Sequence, residues 1–179
     1  MQIEMDLTAG IDVADVVLAD VDRDRNGTIS ADEAQAYAGA VCKAISLELD
    51  GTPLSVALLD TRFPGLDAMK HGEGAIRIEL AAVMSPVPAG THHLRFRNSH
   101  RPDISVYLAN VLVPASDLVT VSGQRRDVDQ RELIVDYVLR DDPTAEARRW
   151  LIAGSAGAVV LCVAVWWRRS RSTSDARRG

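Results

Sequence analysis

Cysteine and aromatic residues are both scarce in this sequence. The chain has two cysteines, Cys42 and Cys162, and aromatic residues make up 4% of it. Cys42 stands in a helical pattern and Cys162 in an apolar run, so the pair predicts no disulfide framework, and no Cys/His spacing typical of zinc is present. Internal repeats and low-complexity segments are also missing. A length of 179 residues therefore predicts one domain with an appendage.

Basic charge is scarce before the C-terminus. From Trp150 onward there are five Arg and one Asp, whereas the preceding residues hold 15 Lys and Arg against 24 Asp and Glu, a balance of −9. An acidic body argues against a nucleic-acid partner, which requires a basic face. The sequence also lacks a nucleophile elbow, a phosphate-binding glycine loop and a zinc-protease helix. We therefore predict that the protein is not an enzyme; a catalytic site without a recognised motif is the alternative.

The most informative stretch present is Asp22–Glu33, which reads D-R-D-R-N-G-T-I-S-A-D-E and fits the twelve-residue calcium loop of an EF-hand. The candidate ligands are Asp22, Asp24 and Asn26 through side-chain oxygens, Thr28 through its backbone carbonyl, Ser30 directly or through a water, and Glu33 through both carboxylate oxygens. Gly27 stands where the loop must turn sharply. An all-oxygen set suits Ca²⁺ better than zinc or copper. The alternative is a surface turn rich in Asp and Asn.

Hydrophobic periodicity predicts a mainly β fold with an α insert. Alternation over residues 1–7 predicts a first strand, and helical spacing on both sides of the calcium loop predicts a helix–loop–helix at residues 11–45. Ser30 and Glu33 form a capping box for the second helix. Further strands are predicted at residues 47–50, 54–58, 75–83, 94–97, 104–112, 118–121 and 133–139, with a hairpin turn at Asp50-Gly51. Residues 1–140 are therefore predicted to form an Ig-like antiparallel β-sandwich that carries one EF-hand.

Two polar features of this domain have simpler structural interpretations. His92 and His93 are adjacent on a predicted strand and point to opposite faces, so they cannot share one metal ion; we expect one buried and one exposed histidine. The charged stretch Gln124–Glu132 is predicted to be a solvated connection between strands. A docking surface for a partner is the alternative for this stretch.

The C-terminal part predicts a membrane anchor. Residues 150–167 contain no charge, would span roughly 27 Å as a helix, and have Trp at both ends. We therefore predict a juxtamembrane linker at 141–149, a transmembrane helix at 150–167 and a basic cytoplasmic tail at 168–179, with a buried core helix as the alternative to the membrane span. The positive-inside rule places the acidic domain outside the cytoplasm, periplasmic or extracellular. The sequence shows no N-terminal signal, so we expect the start to lie upstream of Met1; a tail-anchored cytoplasmic domain is the alternative.

Several short motifs resemble an uncharacterised bacterial family of EF-hand-containing, membrane-anchored exported proteins. They are Glu4–Gly10, the calcium loop, Leu49–Pro53, Arg62–Pro64, Ser105–Asn110 with Val113-Pro114, Gln124–Asp127 and Ile134–Tyr137. Similar domains accompany nickel/cobalt permease-like and hydrogenase/urease-accessory-like membrane proteins. The resemblance implies an exported β-sandwich with an EF-hand insert and implies no catalytic site.

Taken together, the sequence predicts a calcium-binding, membrane-anchored extracytoplasmic domain that presents a surface to a partner protein. The single loop favours a structural cation over a sensor, because sensor EF-hands are usually paired. The alternative function, an accessory subunit of a nickel/cobalt-type metal-ion transporter, rests only on the family resemblance.

Overall fold

Two antiparallel sheets, three α-helices and a 3-10 helix (Ile11–Val13) make up the regular structure in the part of the chain that this computed structural model describes, residues 1–142. The mainly β fold expected from the periodicity is confirmed. Residues 1–139 form one compact unit. The predicted span at 150–167, the tail at 168–179 and most of the linker at 141–149 lie outside the described residues. No helix within 1–142 is long and apolar enough to cross a bilayer.

The smaller sheet has three strands in the order β1-β5-β4, which are Gln2–Leu7, Ile76–Ala82 and Val56–Arg62. Strand β1 runs antiparallel to β5, from Gln2 opposite Ala81 to Leu7 opposite Ile76. Every second residue of β5 is buried, which is the expected pattern for a sheet with one covered face. The predicted first strand is confirmed, and it pairs with a segment about 75 residues further along the chain.

The larger sheet has five strands in the order β3-β2-β6-β8-β7. These are Thr52–Pro53, Ile45–Leu49, Gly90–Asn98, Glu132–Leu139 and Val119–Arg126. The turn predicted at Asp50-Gly51 is confirmed: the two residues have φ angles of 51° and 77°. Positive φ at both central residues is what a tight two-residue hairpin requires, and Asp-Gly supplies it at low cost. The strand predicted at 54–58 does not return along β2, however; Thr52–Pro53 pairs with β2, and β4 (Val56–Arg62) pairs with β5 in the smaller sheet.

The helices α1 (Ala14–Val21) and α2 (Ala31–Lys43) lie between β1 and β2 in the chain, and α3 (Leu66–Lys70) lies between β4 and β5. They cover the apolar face of the smaller sheet. The cluster of buried residues comprises Leu18, Val21, Tyr37, Ala38, Val41, Ile45, Met69, Ile76, Ile78 and Leu80, and Phe96 of the larger sheet packs against it. The helical insert is therefore part of the hydrophobic core and not an appendage on its surface.

The capping box predicted for α2 is confirmed. The Ser30 hydroxyl accepts from the Glu33 backbone N–H, and the Glu33 carboxylate accepts from the Ser30 backbone N–H. Such an N-cap typically contributes about 1 kcal/mol to stability. It fixes the residue at which α2 begins, and so fixes the position of Glu33 relative to the loop before it.

The predicted strand over residues 104–112 is wrong. These residues alternate like a strand, but no strand is assigned there and Val106 is 99% exposed. A strand must pair with a neighbouring strand through backbone hydrogen bonds. Here Ala109 and Asn110 instead accept hydrogen bonds from the Arg126 side chain. Hydrophobic periodicity shows that a sequence could form a strand, but it does not show whether a neighbouring strand is available to pair with it.

Two other local expectations also need correction. The stretch Gln124–Glu132 was expected to be a connection throughout, but 124–126 complete β7, Glu132 begins β8, and only 127–131 turn between them. Helix α3 was not predicted, because five residues are too few for a helical period to show. It carries Met69, whose side chain is fully buried in the core.

Candidate cation site

The predicted calcium loop joins the end of α1 to the start of α2. Asp22 follows the last residue of α1, and Glu33 is the third residue of α2. Val21, the residue before the loop, is fully buried, and Ile29 near the end of the loop packs against the same apolar cluster. Both ends of the loop are therefore held by the core, as expected for an apolar residue at the eighth loop position.

Three of the six predicted ligand residues bring their carboxylates together. Asp22, Asp24 and Glu33 each offer one oxygen, and these oxygens all lie within 4.8 Å of one another. Asp22 is buried at 9% exposure, whereas Asp24 is exposed. Three carboxylates at this separation repel one another unless hydrogen bonds or a cation compensate them.

Asp22 also organises the turn of the loop. Its Oδ2 accepts from the Gly27 N–H at 3.0 Å, and its Oδ1 accepts from the Asn26 N–H at 3.1 Å. Gly27 has a φ of 81°, in the left-handed region where glycine is favoured over residues with a Cβ. The glycine that the motif places at the sharp turn is therefore required there by the backbone.

Glu33 closes the loop from the other side. Its Oε1 accepts from the backbone N–H of Arg23 at 2.8 Å and of Asp24 at 3.3 Å, and its Oε2 accepts from Ser30 Oγ at 2.7 Å. Hydrogen bonds, from the Ser30 hydroxyl first and then from backbone N–H groups, lower the pKa of Glu33 from its ordinary 4.5 to about 2. Glu33 therefore bears a negative charge at neutral pH.

The other three predicted ligands lie around this carboxylate cluster but are engaged with their neighbours. The Asn26 Nδ2 donates to Asp24 Oδ2 at 2.8 Å, and the Asn26 Oδ1 accepts from the backbone N–H of Thr28 at 2.8 Å. The Ser30 hydroxyl is bonded to Glu33. For these three to serve as ligands, Asn26 would have to redirect its Oδ1, Thr28 would have to supply its carbonyl, and Ser30 would have to act directly or through a water.

One charged contact beside the loop could not be found from sequence. Arg101 Nη1 donates to Asp20, two residues before the loop, and the same guanidinium binds Asp103 at 3.2 Å. Asp20 and Arg101 are 81 residues apart, and no local spacing connects them. The contact ties the end of α1 to the segment that follows the larger sheet's β6.

The fold and this site define a mainly β protein whose helix–loop–helix gathers three carboxylates at one point. Comparison of the chain with protein-family models, with curated proteins and with solved structures gave no match in any of the three. The functional interpretation therefore depends on the geometry and chemistry of the chain itself.

Proposed function

We propose that the chain is a calcium-binding, membrane-anchored extracytoplasmic domain in which a single structural EF-hand fixes the geometry of a helix pair. The observation that carries the proposal is the convergence of the Asp22, Asp24 and Glu33 carboxylates within 4.8 Å. These residues stand at the first, third and twelfth positions of a loop whose sixth residue, Gly27, has the positive φ that such a loop needs.

The distances suit a cation of the size of calcium. Calcium lies 2.3–2.6 Å from each oxygen ligand, so two oxygens on one ion can be at most about 5 Å apart. The three carboxylate oxygens already satisfy this limit. Binding would exchange the four hydrogen bonds that Glu33 now accepts for direct contact with the ion, while Asn26, Thr28 and Ser30 complete an all-oxygen shell. Hard oxygen ligands favour calcium over zinc or copper.

The finer fold and the location belong to the same proposal. The two antiparallel sheets would form an Ig-like β-sandwich with the EF-hand as an insert, which is supported by a core cluster that draws Phe96 from the larger sheet. The uncharged run at 150–167 would be a single membrane span, and the five Arg after it would hold the tail in the cytoplasm. Extracytoplasmic calcium is abundant enough to fill even a weak site, and the ordered domain would present a surface to a partner protein.

Isothermal titration of the full chain in mild detergent tests the site. We expect one calcium ion to bind per chain, with magnesium binding more weakly because it demands a smaller octahedral shell. Asp24→Asn removes one carboxylate of the cluster and should weaken binding at least tenfold. Asp32→Asn is the matched control, since it removes the same charge from the first turn of α2, outside the carboxylate cluster. Absence of calcium binding at millimolar concentration would overturn the proposal.

The membrane topology needs a separate experiment. An epitope tag placed after Gly179 and a second tag in the exposed turn at 127–131 should respond oppositely to protease added outside intact cells. We expect the turn to be cleaved and the tail to be protected until the membrane is permeabilised. Protection of both tags would place the domain in the cytoplasm and contradict the extracytoplasmic assignment.

A further inference from the structure

His92 is a buried histidine whose two ring nitrogens both face oxygen acceptors. It lies on β6 and is 5% exposed. Its Nδ1 is 2.7 Å from Asp50 Oδ2, and its Nε2 is 2.8 Å from the carbonyl oxygen of Pro88. Its ring lies 5.4 Å from the Tyr137 ring. The expectation that one of the adjacent histidines is buried and the other exposed is confirmed, since His93 faces solvent.

These two partners specify the protonation state of the ring. A neutral imidazole has one N–H donor and one lone pair, whereas a carbonyl oxygen and an ionised carboxylate can only accept. Hydrogen bonds from His92 keep the pKa of Asp50 below its ordinary value, so Asp50 is ionised at neutral pH. Both contacts can be hydrogen bonds only if both ring nitrogens carry protons. The geometry therefore favours an imidazolium ion over either neutral tautomer.

We infer that protonated His92 acts as a latch that joins segment 83–89 to the β2–β3 turn, and that removing one proton from the ring releases this segment. Segment 83–89 connects β5 to β6 and contains no charged residue. Within residues 1–142, the bond from His92 to the Pro88 carbonyl is the one hydrogen bond that a side chain makes to this segment. Val83 at its start is 85% exposed, so little apolar packing holds that end of the segment when the bond is lost.

Among the groups around the His92 ring, Asp50 is the charged one that contacts it. Asp50 lies on the β2–β3 turn, and its Oδ1 also accepts from the His93 N–H at 2.8 Å. Tyr137 of β8 has a pKa raised by burial and by the charge of Asp50, so its phenol is neutral wherever His92 titrates. The His93 ring points to the other face of the sheet, where it contacts Asp136 at 2.6 Å. Segment 83–89 brings no titratable group.

The direction of the pH dependence follows from these contacts. The hydrogen bond to Asp50, then that to Pro88, raises the pKa of His92 above its ordinary 6.5, against a smaller opposing effect of burial. A raised histidine pKa contributes stability that is complete below pH 6.5 and is lost as the pH rises through the higher value of the folded protein. The latch is therefore closed below pH 6.5 and opens as the pH rises through the higher pKa of His92 in the folded protein.

Nuclear magnetic resonance of the full chain in detergent, with ¹⁵N-labelled histidine, tests the protonation state. The chain has four histidines, and the His92 signals are those missing from His92→Phe or, if that variant fails to fold, those that move in Asp50→Asn. We expect both His92 nitrogens to be protonated at pH 6 and the ring to titrate above pH 6.5. Asp50→Asn should lower the midpoint, because the hydrogen bond to a carboxylate and its opposite charge are removed. A neutral His92 at pH 6 would overturn the inference.

Backbone ¹⁵N relaxation tests the release of the segment. The heteronuclear NOE of the Val87 and Ala89 amides should fall as the pH rises through the His92 midpoint, because the segment then loses its hydrogen bond at Pro88. In Asp50→Asn the fall should begin at lower pH. His93→Gln, which alters the exposed neighbour, should leave both the midpoint and the NOE values unchanged. NOE values that stay constant while His92 titrates would show that the ring does not latch the segment.

Discussion

Replacing Glu33 with glutamine separates the two roles that the structure and the proposal give to this side chain. The carboxylate accepts two backbone hydrogen bonds at Oε1, and at Oε2 it accepts from the N–H and hydroxyl of Ser30. Glutamine keeps one acceptor oxygen, so part of this closure survives. It cannot, however, offer two anionic oxygens to a cation. We therefore expect Glu33→Gln to retain the fold and to lose calcium binding.

The size of the calcium effect can be worked from general thermodynamics. A ligand at one hundred times its Kd stabilises the folded state by about 2.7 kcal/mol. The entropy of unfolding is about 2.1 cal/mol/K per residue, so a unit spanning residues 1–139 has about 0.3 kcal/mol/K. Dividing the first quantity by the second gives a rise in Tm of about 9 °C for the wild type. The same addition of calcium should leave the Tm of Glu33→Gln unchanged.

Thermal melting of the full chain in detergent, followed by far-ultraviolet circular dichroism, measures the calcium-dependent change in Tm of the wild type and of Glu33→Gln. Asp32→Asn serves as the control that alters the net charge of α2 without touching the cluster, and it should keep the full calcium-dependent rise. Equal calcium-dependent rises in the wild type and Glu33→Gln would refute Glu33 as a ligand. No rise in the wild type at millimolar calcium would refute the site as a whole.

Three further predictions concern the protein without calcium. Since the pKa of Glu33 is lowered to about 2, its carboxylate stabilises the fold above about pH 4.5, and this contribution disappears as the pH falls toward 2. The urea concentration at the midpoint of unfolding should therefore fall less steeply with decreasing pH in Glu33→Gln than in the wild type. Gly27→Ala should destabilise by about 1–2 kcal/mol because of its φ of 81°, whereas Gly39→Ala, inside α2 with open space around it, should stabilise by about 0.5–1 kcal/mol; chemical denaturation measures both. Ile78→Ala should cost about 2–5 kcal/mol because the side chain is fully buried, while Leu59→Ala, 55% exposed, should cost under about 1 kcal/mol in the same assay.

Local patterns predicted the parts of this fold that depend on local physics. The capping box at Ser30 and the hairpin turn at Asp50 were predictable because each is specified by a few consecutive residues. The convergence of Asp22 and Glu33 has the same origin, since both stand in one loop of fixed spacing. Strand β5 was predictable because apolar Ile76, Ile78 and Leu80 alternate with charged residues, and the structure buries these three.

The features that sequence did not predict depend on contacts between distant residues. The segment at 104–112 has a strand-like pattern, but whether it pairs depends on which edge the rest of the chain leaves free. The shared buried cluster of α1, α2 and β5 is of the same kind, since periodicity shows that a helix has an apolar face and does not show what covers it. The pairing of Arg101 with Asp20 likewise joins residues that only the folded chain brings together.

The burial of the helix pair bears on whether the proposed cation could act as a switch. Opening the helices would expose Val21 and Val41, both fully buried, at a cost of about 1.5–3 kcal/mol each. A cation could open them only by binding the open form about a hundred- to ten-thousand-fold more tightly than the closed one. The carboxylates of Asp22 and Glu33 already lie within 4.8 Å of each other while the helix pair is closed, so a cation needs no open form to bring them together. A cation bound to this closed pair would stabilise the arrangement that the core already favours.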